Sequence, residues 1–213
     1  MAKLTDVQNE VIKEALNRYS DYISIKRNKI KIDSFMEKLE EFNDNLIRYK
    51  SEEDIEDIIQ FGVSADANSF ASAGMGMIAK PGYYEYLNRK DVREKLIKMI
   101  KAKNEVDDNK KYEKLLQCDI RQYLNKVTLN NNKPKLLVGR LVLMMFPELF
   151  TAVPYENKLN TICTKLQIPY NDNMTYLAKQ RRVRELTDSY LRENNLYDIV
   201  TDNAKVSLAW WIL

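Results

Sequence analysis

The segment Leu136–Phe146, LLVGRLVLMMF, decides the fold, because it is apolar almost all round and lies between Pro134 and Pro147. Proline suits the first turn of a helix, and it ends a helix that reaches it from the other side. A helix without a polar face is buried on every side, so this segment predicts the central helix of the core. Arg140 lies in the middle of the segment, where a guanidinium is costly unless it is paired.

Amphipathic helical patterns occupy most of the chain on both sides of this segment. Thr5 and Gln8 form a capping box at the start of the first pattern, and Ser34 with Glu37 repeats that signature for the second. Apolar residues then recur every three or four positions, without a hairpin or βαβ pattern. We therefore predict an all-α fold. Two further helix starts are predicted at Ser51 and Asp172.

One long interruption separates the helical patterns. The stretch Phe61–Gly82, FGVSADANSFASAGMGMIAKPG, holds four of the five glycines of the chain. Small residues let another backbone or a ligand approach closely, and long loops in compact domains tend to be functional. We predict a small-residue loop over 62–82 within one compact multi-helix domain, 1–213, or within two lobes that divide near 104–110. The candidate site residues of this loop are Gly62, Ser64, Gly74 and Gly76.

The composition excludes several classes of chemistry. The chain of 213 residues contains no histidine, which removes Ser/His/Asp and Cys/His catalysis and most metal sites. Its two cysteines, Cys118 and Cys163, form no CxxC motif. We expect no catalytic residues, no metal and no cofactor. The chain has no signal-peptide pattern and no run of about 18 apolar residues, so we expect a cytoplasmic protein without membrane contact.

Basic residues cluster at two places, although the net charge is only +3. Such clusters neutralise phosphates independently of sequence. One cluster occupies six consecutive residues, 179–184, of a predicted helix. The other flanks the central helix. Tyr83, beside Lys80 and Arg89, could stack on an extruded or single-stranded base. The candidate nucleic-acid-binding residues are Lys80, Tyr83, Arg89, Lys133, Lys135, Arg140, Lys179, Arg181, Arg182 and Arg184.

Each of these candidates also has a structural interpretation. The basic run 179–184 fits a solvated helix face with pairs such as Arg181 with Glu185. Tyr83 fits a core position with its hydroxyl at the surface. Arg140 fits a structural ion-pair anchor, which we favour, or a phosphate contact.

Two stretches together resemble the N-terminal region of McrB-like restriction GTPases. FGVSADANSFASAGMGMI resembles that family's "NGVSS.GQG" loop, and LLVGRLVLMMFPELFTAVPYENKLNTICTKL resembles its "NR..A..FPD..TTVV...KLN.....L" segment. The chain departs from the pattern at Phe61 and Gly139, where the family usually has Asn, and at Met75, where it has Gln. The matching residues are Gly62, Val63, Ser64, Gly74 and Gly76 in the loop, and Arg140, Phe146, Pro147, Val153, Lys158, Leu159 and Asn160 in the second segment.

The resemblance implies a function in DNA recognition. In that family this region precedes an AAA+ motor that moves DNA for a partner nuclease, and it is taken to recognise DNA, often with modified cytosine. The chain contains no Walker A motif, so the motor domain is absent from it. The implied partners are DNA, with or without modified bases, and AAA+ motor and nuclease subunits, in trans or in the full-length protein.

We therefore expect a non-catalytic DNA-recognition module of a modification-dependent restriction or phage-defence system. The alternative is a protein-interaction or assembly domain of a phage-defence complex, suggested by surface methionines at 75, 77, 144 and 145 and by Trp210 and Trp211. The loop 62–82 either packs tightly against the helix 134–146 or contacts DNA beside Tyr83.

Overall fold

The computed structural model describes residues 3–49, 53–70, 74–171 and 173–213, and at 53, 68–70 and 74–76 it describes the backbone alone. None of these residues lies in a β-strand, which confirms the predicted all-α class. The described part of the chain also contains three short 3-10 helices, Gly74–Ala79, Leu124–Lys126 and Leu208–Ile212. The α-helices are α1 (Asp6–Ser24), α2 (Lys26–Arg48), α3 (Glu53–Phe61), α4 (Ala65–Phe70), α5 (Lys80–Leu87), α6 (Lys90–Ala102), α7 (Asp108–Cys118), α8 (Ile120–Tyr123), α9 (Lys135–Met145), α10 (Glu156–Lys165), α11 (Tyr176–Glu193) and α12 (Asp202–Ser207).

The first capping prediction is confirmed and the second is wrong. The Thr5 hydroxyl accepts from the Gln8 amide at 3.2 Å, and the Gln8 side chain accepts from the Thr5 amide at 3.0 Å. Ser34 instead lies inside α2, which begins at Lys26. The run KRNKIKID contains no helix breaker, and an ion pair from Lys29 to Asp33 at 2.6 Å joins neighbouring turns of the helix.

Two of the predicted helix starts, Ser51 and Asp172, lie outside the described residues. The helix that follows Asp172 begins only at Tyr176, as α11. Its cap is Thr175, whose hydroxyl accepts from the Ala178 amide at 3.2 Å. A threonine hydroxyl satisfies one of the free amides at a helix start in this way.

The predicted loop 62–82 is largely helical, so this part of the prediction is wrong. A tight turn over residues 62–64 leads into α4, the 3-10 helix Gly74–Ala79 follows, and α5 begins at Lys80. The Ser64 hydroxyl accepts from the Ala67 amide at 3.1 Å, which is the geometry of a helix cap. Alanines favour a helix once such a cap is present, and the glycine count obscured this local preference.

The chain forms two compact units. Unit 1 comprises Met1–Met36 and Pro147–Leu213, and unit 2 comprises Glu37–Phe146. The predicted joint 104–110 lies inside unit 2 and overlaps the start of α7, where the Asp107 carboxylate accepts from the Asn109 and Lys110 amides at 2.9 Å. The prediction of a single domain stays a prediction.

Helix α9 is the central helix of unit 2. Every residue from Leu137 to Met145 is buried, as the apolar sequence predicts. The helix packs against α4, α5, α8 and the 3-10 helix Gly74–Ala79. The neighbours of α9 therefore include elements of the stretch that was predicted to be a loop.

Helix α11 organises unit 1. It packs against α1, α10, α12 and the 3-10 helix Leu208–Ile212. The Trp211 ring contacts Tyr22, with ring centroids 5.0 Å apart, and the Trp210 indole donates a hydrogen bond to the Ala152 carbonyl. Both tryptophans are thus half-buried parts of the internal packing of unit 1.

Candidate nucleic-acid interface

A buried hydrogen-bonded cluster joins the two stretches on which the family resemblance rests. The Arg140 side chain is completely buried in α9, and its Nε and Nη2 donate to the Gly62 carbonyl at 3.2 and 2.7 Å. Tyr83 is also completely buried, and its hydroxyl donates to the Ile59 carbonyl at 2.9 Å. Burial raises the pKa of this hydroxyl well above its usual range. In this structure neither side chain can reach a phosphate or a base, which corrects their assignment as DNA contacts.

Gly62 is required by close packing at the same place. A Cβ on Gly62 would lie 2.1 Å from the Tyr83 hydroxyl oxygen and 3.3 Å from a Leu141 methyl carbon of α9. Residues 62 and 63 are buried and Ser64 is half-buried. The turn 62–64 therefore packs against α9, the first of the two roles left open for the stretch 62–82. Gly74 and Gly76 lie in the 3-10 helix Gly74–Ala79, and their exposure lies outside the description.

The basic run of α11 is partly buried and partly paired within unit 1. Lys179 is only 6% exposed, and its ammonium donates to the Asn160 side-chain oxygen at 2.9 Å. Arg184 is only 4% exposed and pairs with Asp188 at 2.9 Å. These two residues are internal, and their assignment as phosphate contacts is corrected. Long basic side chains bury their stems readily, so a basic run in the sequence does not by itself define a basic surface.

The remaining two cations of this run share one carboxylate. Arg181 contacts Glu185 at 3.0 Å, and Arg182 contacts it at 3.5 Å. This is the helix-face pairing that was one of the two interpretations of the run. The assignment of Arg181 and Arg182 to nucleic acid stays a prediction, with much of their charge already balanced.

Asp188 shows the electrostatic cost of the buried pair. Desolvation raises the pKa of this carboxyl, and the adjacent Arg184 guanidinium opposes that rise. Arg184 also donates to the carbonyls of Pro147 and Phe150. Because its donors are used inside the unit, Arg184 holds the start of segment 147–150 against α11.

A second set of basic candidates surrounds the start of α5 in unit 2. A Cβ on Gly82 would lie 2.2 Å from the Asn132 carbonyl oxygen, so the start of α5 and the turn before α9 are in close contact. Glu85 fixes this turn, because its carboxylate accepts from the amides of Asn130 at 2.6 Å and Asn131 at 3.1 Å. These hydrogen bonds lower the pKa of Glu85.

The lysines of this region remain available to bind an external anion. Lys133 and Lys135 are exposed, and Lys80 is half-exposed with its ammonium 5.8 Å from the centroid of the Tyr84 ring. Arg89 is half-buried and its guanidinium contacts Asp91 at 3.3 Å. Lys133 and Lys135 have no ion-pair partner among the described residues, so they keep their charge for an external anion.

Helix α6 contributes lysines that were not assigned to the site from the sequence. Lys90, Lys98 and Lys101 are exposed and unpaired within the described part of the chain. Lys95 lies with its ammonium 4.8 Å from the centroid of the Tyr123 ring. The spacing of positions 90, 98 and 101 places them along one helix face, which was a signal available in the sequence.

The charge of unit 2 is divided along the chain. Residues 37–66 contain ten acidic and three basic residues, whereas residues 80–103 contain three acidic and eight basic residues. A net charge of +3 over the whole chain conceals this asymmetry. Local fields of opposite sign on one unit favour different partners at different surfaces.

The described residues do not meet the requirements of a metal site, a reactive thiol or a membrane-spanning helix. Among them no group of three His, Cys, Asp or Glu side chains could hold a metal ion. Burial raises the pKa of the Cys118 and Cys163 thiols to about 11, so neither thiol is poised as a nucleophile. Within the same described ranges no helix is long and apolar enough to cross a membrane.

The methionine surface suggested by the sequence is wrong for two of its four members. Met144 and Met145 are completely buried in α9. Met77 is half-buried, and the Met75 side chain lies outside the description. Met144 and Met145 therefore cannot contribute to an assembly surface, and the role in assembly stays a prediction.

Comparisons of the chain with family models, with curated proteins and with solved structures give no match. The resemblance to McrB-like N-terminal regions therefore stays a prediction.

Proposed function

We propose that the protein is a non-catalytic nucleic-acid-binding module whose contact surface is the lysine-rich part of unit 2. The single observation that carries this proposal is the set of exposed lysines on α6 without carboxylate partners. Lys90, Lys98 and Lys101 lie along one face of that helix, on which Glu94 is also exposed. Unpaired cations can replace the counterions of a phosphate backbone, which is the main source of affinity for nucleic acid.

The finer parts of the proposal rest on the sequence resemblance. We propose that the nucleic acid is duplex DNA, with or without modified bases, and that the module serves a restriction or phage-defence system in the cytoplasm. A motor and a nuclease subunit would then supply the energy and the cleavage. Contacts to phosphates position a protein on DNA without reading its sequence, so the proposed α6 surface accounts for affinity alone.

A salt-dependent titration tests the α6 surface. Fluorescein-labelled duplex DNA is titrated with the full chain between about 50 and 200 mM salt, the range over which counterion release strongly weakens binding. Each lost phosphate contact reduces the slope of log K against log salt by about 0.9, so Lys98→Ala with Lys101→Ala should reduce it by roughly 1.8. Affinity at the lowest salt should fall as well.

Two matched controls make the test specific. Lys13 and Lys31 are exposed lysines of unit 1 that are unpaired in the described structure, so Lys13→Ala with Lys31→Ala removes the same charge elsewhere. Arg181→Ala with Arg182→Ala removes two positive charges, of which Glu185 balances one. We expect both control pairs to keep most of the wild-type slope. Equal losses in all three double variants would mean non-specific attraction, and the proposal would be wrong.

The comparison of methylated and unmethylated duplexes tests the finer part separately. A preference for modified cytosine would support the restriction role, whereas equal affinity for both would leave a general nucleic-acid-binding module. A steady turnover of nucleotide or DNA with a divalent ion would contradict the non-catalytic assignment.

A further inference from the structure

A groove with an aromatic floor lies between α2 and α3 in unit 2. Its volume is about 570 Å³. The rings of Phe42 and Phe61 stack across it with centroids 4.1 Å apart and an interplanar angle of 12°. Phe61 is half-exposed, and Ile58 adds a third apolar side chain to the lining. Phe42 and Ile58 are only 7% and 5% exposed, so Phe61 supplies the accessible apolar surface of the floor.

The groove runs along α2 and α3. The α2 residues that line it run from Lys38 to Arg48, a span of about 15 Å at the helical rise. Lys38 forms an ion pair with Asp66 at 2.6 Å, which bridges the sides of the groove near the start of α4. Phe61 of α3 meets Phe42 further along α2. A groove of about three helical turns matches a short helix lying along it.

Carboxylates outnumber cations in the lining of the groove, which has four Asp or Glu residues and two basic residues, Lys38 and Arg48. Glu41 and Asp57 are exposed carboxylates that line it and have no ion-pair partner among the described residues. They belong to the stretch 37–66, in which ten acidic residues outnumber three basic ones. An unbalanced negative rim around an apolar floor attracts a ligand that is both cationic and apolar.

The start of α2 in a second copy exposes Ile30 beside Lys29 and Lys31, so a dimer is a separate outcome of the test. The most basic helix, α6, exposes Lys98 and Lys101 but buries Leu96, Met99 and Ile100. It would bring positive charge to the rim without apolar side chains for the floor. An amphipathic segment that presents basic and apolar side chains on adjoining faces satisfies both parts of the groove.

We propose that this groove binds a short basic amphipathic helix of another protein, with its apolar side chains on the exposed part of Phe61 and its Lys or Arg side chains opposite Glu41 and Asp57. This surface is distinct from the lysines of α6 and opposite to them in charge preference. The protein would then join a nucleic acid and a protein partner through two sets of residues of one unit.

A model peptide tests the groove without knowledge of the natural partner. The probe is a fluorescein-labelled 14-residue helical peptide of Leu, Phe and Lys, and its counterparts are the same peptide with Glu for Lys and a scrambled peptide that is not amphipathic. Binding to the full chain is followed by fluorescence anisotropy. We expect the basic amphipathic peptide to bind more tightly than both counterparts.

Charge reversals at the rim provide the specific variant. Glu41→Lys with Asp57→Lys should lower the affinity for the basic peptide by about tenfold or more, because two attractions become repulsions. The matched control is Glu40→Lys with Glu113→Lys, which changes the net charge equally at exposed positions outside the groove. We expect this control to change the affinity less than about threefold, as screened surface charges do.

Several results would overturn the proposal. Equal weakening in both double variants would mean attraction by net charge alone. Equal binding of the scrambled peptide would remove the helix from the proposal. A concentration-dependent dimer that the rim reversals abolish would assign the groove to a second copy. Far-UV circular dichroism of each variant verifies the fold, and a Phe61→Leu variant tests the floor without any change of charge.

Discussion

The substitution Gly62→Ala should destabilise unit 2 through one identifiable collision. The added Cβ would lie 2.1 Å from the Tyr83 hydroxyl oxygen, whereas real Cβ contacts under 3.0 Å essentially do not occur. The hydroxyl cannot swing away freely, because it is completely buried and donates to the Ile59 carbonyl. Overpacking of this kind costs about 1–3 kcal/mol. The Gly62 backbone is not in the left-handed region, so the cost arises from packing alone.

A double-mutant cycle isolates this contact. Tyr83→Phe removes the colliding oxygen and one buried hydrogen bond, at a cost of about 1 kcal/mol by itself. In the double variant the alanine Cβ meets the ring carbon at 3.1 Å and Leu141 at 3.3 Å, which a few tenths of an ångström of movement relieve. We therefore expect the double variant to be less destabilised than the sum of the single variants, by about 1–2 kcal/mol.

The assay is urea unfolding of the full chain followed by far-UV circular dichroism, because both tryptophans lie in unit 1 and report on that unit. The control cycle pairs Gly62→Ala with Tyr86→Phe. Tyr86 is another completely buried tyrosine, and its hydroxyl donates to the Ile120 carbonyl, not to a group near Gly62. The change that Tyr86→Phe makes in the free energy of unfolding should add to the change that Gly62→Ala makes. Additivity within about 0.5 kcal/mol in the Tyr83 cycle would refute the packing argument.

Two further predictions concern the same unit. Arg140→Met should lower the free energy of unfolding by about 2–4 kcal/mol in urea titrations, because it removes two charge-assisted hydrogen bonds and leaves a buried carbonyl unsatisfied; an effect under about 0.5 kcal/mol would contradict this role. Glu85→Gln should speed hydrogen exchange at the Asn130 and Asn131 amides. The folded pKa of Glu85 lies below its usual range, so its stabilisation is present above the unfolded pKa and is lost as the pH falls. Acidification should therefore lower the protection factors of these amides, taken relative to the intrinsic exchange rate at each pH, in the wild type and not in Glu85→Gln.

Local sequence was sufficient for the helices whose signals lie within a few residues. The capping box of Thr5 and Gln8 uses groups three positions apart, so no distant residue is needed to place it. The burial of α9 follows from the absence of any polar face in Leu136–Phe146. The same local reasoning failed at Ser34, because a capping signature has no force where the preceding residues already continue the helix.

The candidate site could be predicted only in part, because exposure depends on distant partners. Lys179 is buried against Asn160, 19 positions away, and Arg140 binds the carbonyl of Gly62, 78 positions away. Neither partner is marked in a single sequence. The exposed lysines of α6 were visible as a helical face, but a free lysine and a paired one look the same in a sequence until the carboxylates around them are placed.

The sequence by itself thus determined the all-α class, the central position of α9 and the absence of histidine chemistry, because composition and helical periodicity are local properties. The tertiary structure decided which charged side chains stay exposed and unpaired, and can therefore bind a partner. It turned the Gly62 turn from a candidate ligand loop into a buried packing contact, and it distinguished the internal cations of α11 from the exposed lysines of α6. The physical reason is that desolvation and pairing depend on the contacts of a side chain, and residues far apart in the chain supply those contacts.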